Sequence, residues 1–260
     1  MPLPSAQRRS IVELFPTIAE PTPLQRELEA LPLSLGPKLF IIEEITGAGK
    51  TEAALLLAQR MMASGEASGM YFGLPTMATA NAMHGRIEMV YRKLFADETE
   101  PSLVLAHSAS RQYLALERDS DEQDYADDDE CAGRRSRAWL FDNRKKALLA
   151  NIGVGTIDQA LLAIVPARHQ SLRLLGLSKK VLIVDEVHAY DSYMNDLLCN
   201  LLTFHAAQGG NAILLSATLP RTLREAFIEA FADGAGCGIS GNVSDAYPAI
   251  TVAGRDGVSS

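Results

Sequence analysis

Thr46-Gly47-Ala48-Gly49-Lys50-Thr51 stands between the apolar run Leu39–Ile42 and the segment EAALLLAQRMMA (residues 52–63), which is rich in strong helix formers. A strand, a glycine turn and a helix in that order bring the N–H groups of the turn and the partly positive helix start to one point, where phosphate oxygens bind. Lys50 is long enough to reach the β- and γ-phosphates of a nucleotide, and the Thr51 hydroxyl suits a magnesium ion. Thr46, Gly47, Ala48, Gly49, Lys50 and Thr51 are therefore the expected nucleotide-binding residues, with ATP and Mg²⁺ as cofactors and Lys50 also catalytic. A full-length loop of this kind opens with a further glycine five positions before Gly49. Here Glu44 stands at that position, followed by the branched Ile45.

The same punctuation recurs along the chain. Leu39–Ile42, Met70–Leu74, Leu103–Ala106, Val181–Val184 and Ala212–Leu215 are short apolar runs, each followed by a turn and a stretch of helical periodicity. Nearly continuous apolar strands are those covered by helices on both faces, so the expected fold is α/β with a mostly parallel sheet. Val187, Tyr190, Met194, Leu197, Leu198, Leu201 and Leu202 keep the spacing of a buried helical stripe. The organisation expected is an N-terminal segment over residues 1–36, a nucleotide-binding lobe over 37–232, and a flexible tail or linker over 233–260, where Gly234–Gly241 is rich in small residues.

In open parallel sheets, ligands bind beyond the carboxyl ends of the strands, and the chemically informative residues fall there. Asp185-Glu186-Val187-His188 follows Val181–Val184. Asp185 is the expected magnesium residue and Glu186 the expected general base that activates the attacking water. Ser216-Ala217-Thr218 follows Ala212–Leu215, and Ser216 and Thr218 are expected, with His188, to couple the carboxylates to the rest of the molecule. Two further turns, holding Pro75, Thr76, Thr79 and Asn81, and Gly155, Thr156, Asp158 and Gln159, offer amides and short hydroxyls suited to a sugar-phosphate backbone. Thr and Asp in such positions also make ordinary helix caps.

Composition narrows the function. The 260 residues carry a formal net charge of −8 and are 47% hydrophobic, which supports a buried core and argues against a large basic face for duplex DNA. Much of the acidity lies in Glu117–Glu130, expected to be a solvated loop. Arg134–Lys146 is basic, with Trp139 and Phe141, and either touches a phosphate backbone or forms a solvated helix face. Cys131, Cys199 and Cys237 are far apart, suggesting neither disulfides nor a zinc site. No run is long enough to cross a bilayer and no secretory leader opens the chain, so the expected location is the cytoplasm.

Thr-Gly-x-Gly-Lys-Thr, Asp-Glu-x-His and Ser-Ala-Thr, in this order, resemble motifs I, II and III of superfamily 2 helicases, with motifs Ia and Ib at the two hydroxyl-rich turns. LPTMATANAM, VGTIDQALLAIVPARHQ, VLIVDEVHAYDSYM and ILLSATLP resemble more specifically the first RecA-like lobe of the Cas3 family, helicase-nucleases of type I CRISPR interference. The resemblance runs from about Pro21 to Pro220. It implies a RecA-like P-loop NTPase lobe, ATP-driven translocation on single-stranded DNA, and recruitment to a Cascade-type crRNA-guided complex. It also implies that Gln25, in PTPLQ (residues 21–25), reads the adenine. The family's HD nuclease and second RecA lobe are expected elsewhere, in cis or in trans, because none of the five histidines is followed by Asp and no arginine-rich motif follows Thr218. Little or no turnover is expected of the lobe alone. Two other readings remain: a non-catalytic module that docks on a CRISPR complex, and an unrelated superfamily 2 lobe working on RNA or DNA.

Overall fold

The computed structural model describes residues 2–106, 147–166, 170–238, 241 and 244–259. The acidic stretch Glu117–Glu130, the basic stretch Arg134–Lys146 with Trp139 and Phe141, and Cys131 lie outside the described residues. The elements follow in chain order: α1 (Ile11–Leu14), α2 (Pro23–Ala30), β1 (Lys38–Glu43), α3 (Lys50–Ala63), β2 (Gly69–Leu74), α4 (Met77–Glu88), β3 (Leu103–Leu105), β4 (Ile152–Thr156), α5 (Ile157–Leu161), α6 (Gln170–Leu177), β5 (Lys180–Val184), α7 (Ser192–Ala207), β6 (Asn211–Ser216), α8 (Arg221–Ala235), β7 (Ala249–Gly254) and β8 (Gly257–Ser259).

The eight strands among the described residues form one sheet in the order β3-β4-β2-β5-β6-β1-β7-β8. β3, β4, β2, β5, β6 and β1 run parallel, and β7 and β8 are antiparallel additions at one edge. Every residue of β1, β2, β4, β5 and β6 is buried, as the continuous apolar runs require when both faces are covered. Alternation along each strand divides the core. Phe40, Ile42, Phe72 and Ile183 meet Leu28, Leu56 and Ile87 of α2, α3 and α4 on one face. Leu39, Ile41, Leu182 and Leu214 meet Ala160, Leu201 and Phe227 of α5, α7 and α8 on the other. This is the RecA-like α/β architecture.

Helix starts obey local chemistry. Thr22 and Gln25 form a capping box with Pro23 at the first turn of α2, Thr76 and Thr79 do the same for α4, and the Asp191 side chain caps α7. The helical stripe read after Val184 divides in two: Val187 sits in a 3₁₀ turn, and Leu198, Leu201 and Leu202 form the buried face of α7.

Two segments depart from the sequence reading. β4 is a sheet strand that its glycines concealed. A Cβ at Gly153 would stand 1.9 Å from the Ala147 carbonyl oxygen, so glycine is what lets the neighbouring chain approach. Residues 249–259 are likewise no loose tail, because β7 pairs with the whole of β1, from Lys38↔Gly254 to Glu43↔Ala249. Its alternating burial marks a half-covered edge ribbon, and α8 continues to Ala235 through the point where the lobe was expected to end. Among the described residues no helix is long and apolar enough to cross a membrane.

Candidate functional site

Strand order decides what meets what. β5, β6 and β1 lie side by side and parallel, so their carboxyl ends bring Asp185-Glu186, Ser216 and the loop after Glu43 to one rim. Glu43 is in register with Ser216, and the Glu44 N–H donates to the Ser216 carbonyl at 3.2 Å. Thr46, Gly47, Gly49, Lys50, Thr51, Asp185 and Glu186 line one cavity of about 340 Å³, together with Glu52 and Arg86.

The loop keeps its shape for reasons that can be named. Gly47 and Gly49 have φ of 88° and 83°, in the left-handed region that side chains avoid. Gly49 is the N-cap of α3 and makes no side-chain cap bond, which leaves the first-turn amides of that helix to an external acceptor. Lys50 Nζ donates to the carbonyls of Glu44 (2.6 Å) and Ile45 (2.9 Å), so the loop closes around the ammonium. Uncapped amides, an ammonium and the Thr51 hydroxyl at one wall of the cavity form a donor set that fits a polyphosphate.

Gln25 braces this loop. It is 2% exposed; its carboxamide oxygen accepts from the Thr22 N–H at 3.0 Å, and its Nε2 donates to the Gly49 carbonyl at 3.3 Å. The Thr22 hydroxyl donates to the Ala48 carbonyl at 3.2 Å. Both ends of the carboxamide expected to read adenine are thus engaged inside the protein.

The two carboxylates sit in different environments. The Asp185 side chain accepts from the Glu186 N–H at 2.9 Å, and the Tyr190 hydroxyl donates to the Asp185 carbonyl at 3.0 Å. Burial, reinforced by the Glu186 charge, raises the Asp185 pKa above its ordinary value, against the pull of the Glu186 N–H, Lys50 and Arg86. A carboxylate in that position gains from a nearby cation. Glu186 has φ 53° and ψ 43°, a left-handed conformation that costs energy for a residue other than glycine and is typical of functional sites.

His188 joins two strand tips. Its Nδ1 lies 3.3 Å from the Ala217 N–H, which can only donate, so Nδ1 is the acceptor and the ring proton resides on Nε2. That Nε2 is 3.2 Å from Glu186 Oε2. Ser216 Oγ stands 3.3 Å from the same Nδ1 and donates to the Thr218 carbonyl at 2.7 Å. Thr218 contacts Ser216 through its main-chain carbonyl.

The residues expected to hold a strand lie on the adjoining part of the rim, because β4 pairs β2 with Leu74 opposite Thr156. Thr76, Thr79, Asn81 and Asp158 are exposed there, and Pro75 and Gln159 are half-exposed. The Thr76 and Thr79 hydroxyls are engaged in capping α4. Gly155 and Thr156 depart from the expectation, since both are buried. A Cβ at Gly155 would stand 2.7 Å from the Tyr71 hydroxyl, which donates to the Thr156 carbonyl at 2.9 Å. The glycine serves packing at that point.

Sequence reasoning missed several supports. Glu43 and Arg224 form a buried ion pair beneath the loop, with Nε 2.9 Å from Oε2 and side chains 7% and 4% exposed for Arg224 and Glu43. Glu43 Oε1 also accepts from the Leu219 N–H at 2.9 Å, and Arg224 donates to the Ser244 carbonyl at 2.6 Å. Burial raises the Glu43 pKa while Arg224 and the Leu219 N–H pull it down. A carboxylate ending an otherwise apolar strand was the available signal for Glu43. Arg86 and Arg224 carry no motif.

Fold and rim together define a RecA-like lobe of the P-loop NTPase class. Residues 3–221 match the family described as "Type III restriction enzyme, res subunit", and the chain belongs to that family. It is 42% identical over 212 residues to the "CRISPR-associated endonuclease/helicase Cas3" of Escherichia coli strain K12, covering 82% of the chain and 23% of that relative. The crystal structure of T. fusca Cas3-ATP superposes with a TM-score of 0.79 at 34% identity, covering 99% of this chain and 28% of that one. A chain of a "CRISPR RNA-guided surveillance complex, pre-nicking" matches with a TM-score of 0.58 at 33% identity, over 86% of this chain and 22% of that one. The chain is therefore homologous to the Cas3 helicase-nucleases, and it spans about a quarter of the length of the curated relatives it matches.

Proposed function

We propose that this chain is the ATP-binding lobe of a Cas3-like, single-strand DNA translocase that works with a crRNA-guided complex. The observation that carries the reading is the convergence of Lys50, Thr51, Asp185 and Glu186 on one cavity from the ends of two strands, β1 and β5, that flank β6 in the sheet and lie far apart in the sequence. Lys50 and the first-turn amides of α3 would hold the phosphates, and Thr51 and Asp185 would hold Mg²⁺. Magnesium, when bound, withdraws charge from the phosphoryl oxygens and favours attack on the terminal phosphorus. Glu186 would orient and deprotonate the attacking water, with His188 Nε2 beside its carboxylate and the Ala217 N–H on the far side of the imidazole.

The neighbouring rim of Thr76, Thr79, Asn81 and Asp158 supports a single-strand track. The crRNA-guided partner is supported by the likeness to a chain in a CRISPR RNA-guided surveillance complex. Arginines of a second RecA-like lobe typically supply about 10³–10⁵ in rate, so the reading is tested with that lobe supplied in cis. ATP hydrolysis is measured with no nucleic acid, with single-stranded DNA and with RNA. DNA is expected to stimulate, and Lys50→Ala and Glu186→Gln are each expected to lower stimulated turnover by roughly a hundredfold or more. Normal turnover in Lys50→Ala would overturn the site, and stimulation by RNA alone would overturn the substrate.

A further inference from the structure

Arg86 lies on the wall of the cavity that Lys50, Thr51, Asp185 and Glu186 also line. It belongs to the last turn of α4, the helix whose opposite end is the Thr76/Thr79 cap on the rim proposed to carry the strand. Its guanidinium pairs with Glu52, the residue after Thr51. Among the described residues, the cavity wall sets two cations, Lys50 and Arg86, against three carboxylates, Glu52, Asp185 and Glu186. Among the described residues, Arg86 is the lining cation contributed from outside the phosphate loop, and its charge opposes the raised Asp185 pKa.

The pair with Glu52 is half-exposed, with side chains 44% and 21% accessible for Arg86 and Glu52, and pairs of this kind are weak. A guanidinium gains more from phosphate oxygens, which its planar fork meets with two parallel hydrogen bonds. We propose that Arg86 is a phosphate-sensing residue of this lobe: from its seat beside Glu52 it binds the terminal phosphate of ATP and so ties that phosphate to the far end of α4. This rests on the nucleotide-site reading above. An α-helix is stiff over twelve residues, so a guanidinium held at its last turn constrains the cap at its first.

The test is calorimetric titration of Mg·ATP and Mg·ADP into the 260-residue chain and its Lys50→Ala, Arg86→Ala, Glu52→Gln and E52Q/R86A variants. Loss of a charge-assisted contact to the terminal phosphate predicts that Arg86→Ala weakens ATP about tenfold relative to ADP, in both the parent and the Glu52→Gln background. If Arg86 only neutralises Glu52, Arg86→Ala has no effect once Glu52→Gln is present, or weakens ATP and ADP equally; either result overturns the proposal. Absence of ATP binding that depends on Lys50 would overturn the nucleotide site and this inference together. Binding that depends on Lys50, with an ATP to ADP ratio indifferent to Arg86, would overturn the inference alone.

Discussion

Two stretches of the same sheet edge are built on different principles. At the ends of β5 and β1, charged side chains that follow separate strands face a shared cavity, and buried contacts brace the chain around it: Gln25 on the Gly49 carbonyl, and Arg224 against Glu43 at the end of β1. At the ends of β2 and β4 the polar side chains satisfy their own backbone, Thr76 and Thr79 as caps, while Gly155 and Thr156 are buried. The first stretch is organised for charge and the second for shape. A site that holds a polyphosphate needs fixed cations, whereas a track for a strand of any sequence needs a smooth rim.

Removing the support under the charged stretch should have the largest effect on stability. Arg224→Ala leaves Glu43 buried without its cation, at an expected cost of about 3–5 kcal/mol in urea unfolding. A cost under about 1 kcal/mol would show that the pair behaves as a surface contact and that the two stretches differ less than described.

A smaller effect of opposite sign is expected at Asp185. Its raised pKa means that the folded chain binds that proton more tightly than the unfolded chain does. The stabilisation from the neutral form is complete below the ordinary Asp range and is lost as pH rises through the folded pKa. Asp185→Asn, neutral throughout, should therefore stabilise the metal-free chain near pH 8 and do so much less near pH 4. If the difference is about 1 kcal/mol, the Tm gain near pH 8 is roughly 2–4 °C. Destabilisation near pH 8 would mean that burial does not strain this carboxylate.

The same contrast explains what was legible in the sequence. Thr46–Thr51 was readable because a glycine turn with lysine and threonine acts through its own backbone, next to its own helix. Asp185 and Ser216 were readable because strand tips in a parallel sheet share an edge. β4 was obscured by Gly153 and Gly155, whose absent side chains weaken the strand pattern yet are what Ala147, Tyr71 and Ala106 pack against. The ribbon of β7 and β8 was obscured because its small alternating residues resemble a linker until β1 is there to pair with them. Gln25 was expected to read adenine, and its engagement with Thr22 and Gly49 is a tertiary fact that no local pattern reports. Arg86 and Arg224 act across folds of the chain, where no local pattern reports them.

The central claim is that the charged stretch, and not its neighbour, holds the nucleotide. It is tested most directly by the Tm of the chain with and without saturating Mg·ATP, because a ligand that binds only the folded state raises Tm. A rise is expected in the parent chain, an equal rise in Thr76→Ala, and none in Lys50→Ala. A rise that survives Lys50→Ala, or that disappears in Thr76→Ala, would contradict the claim.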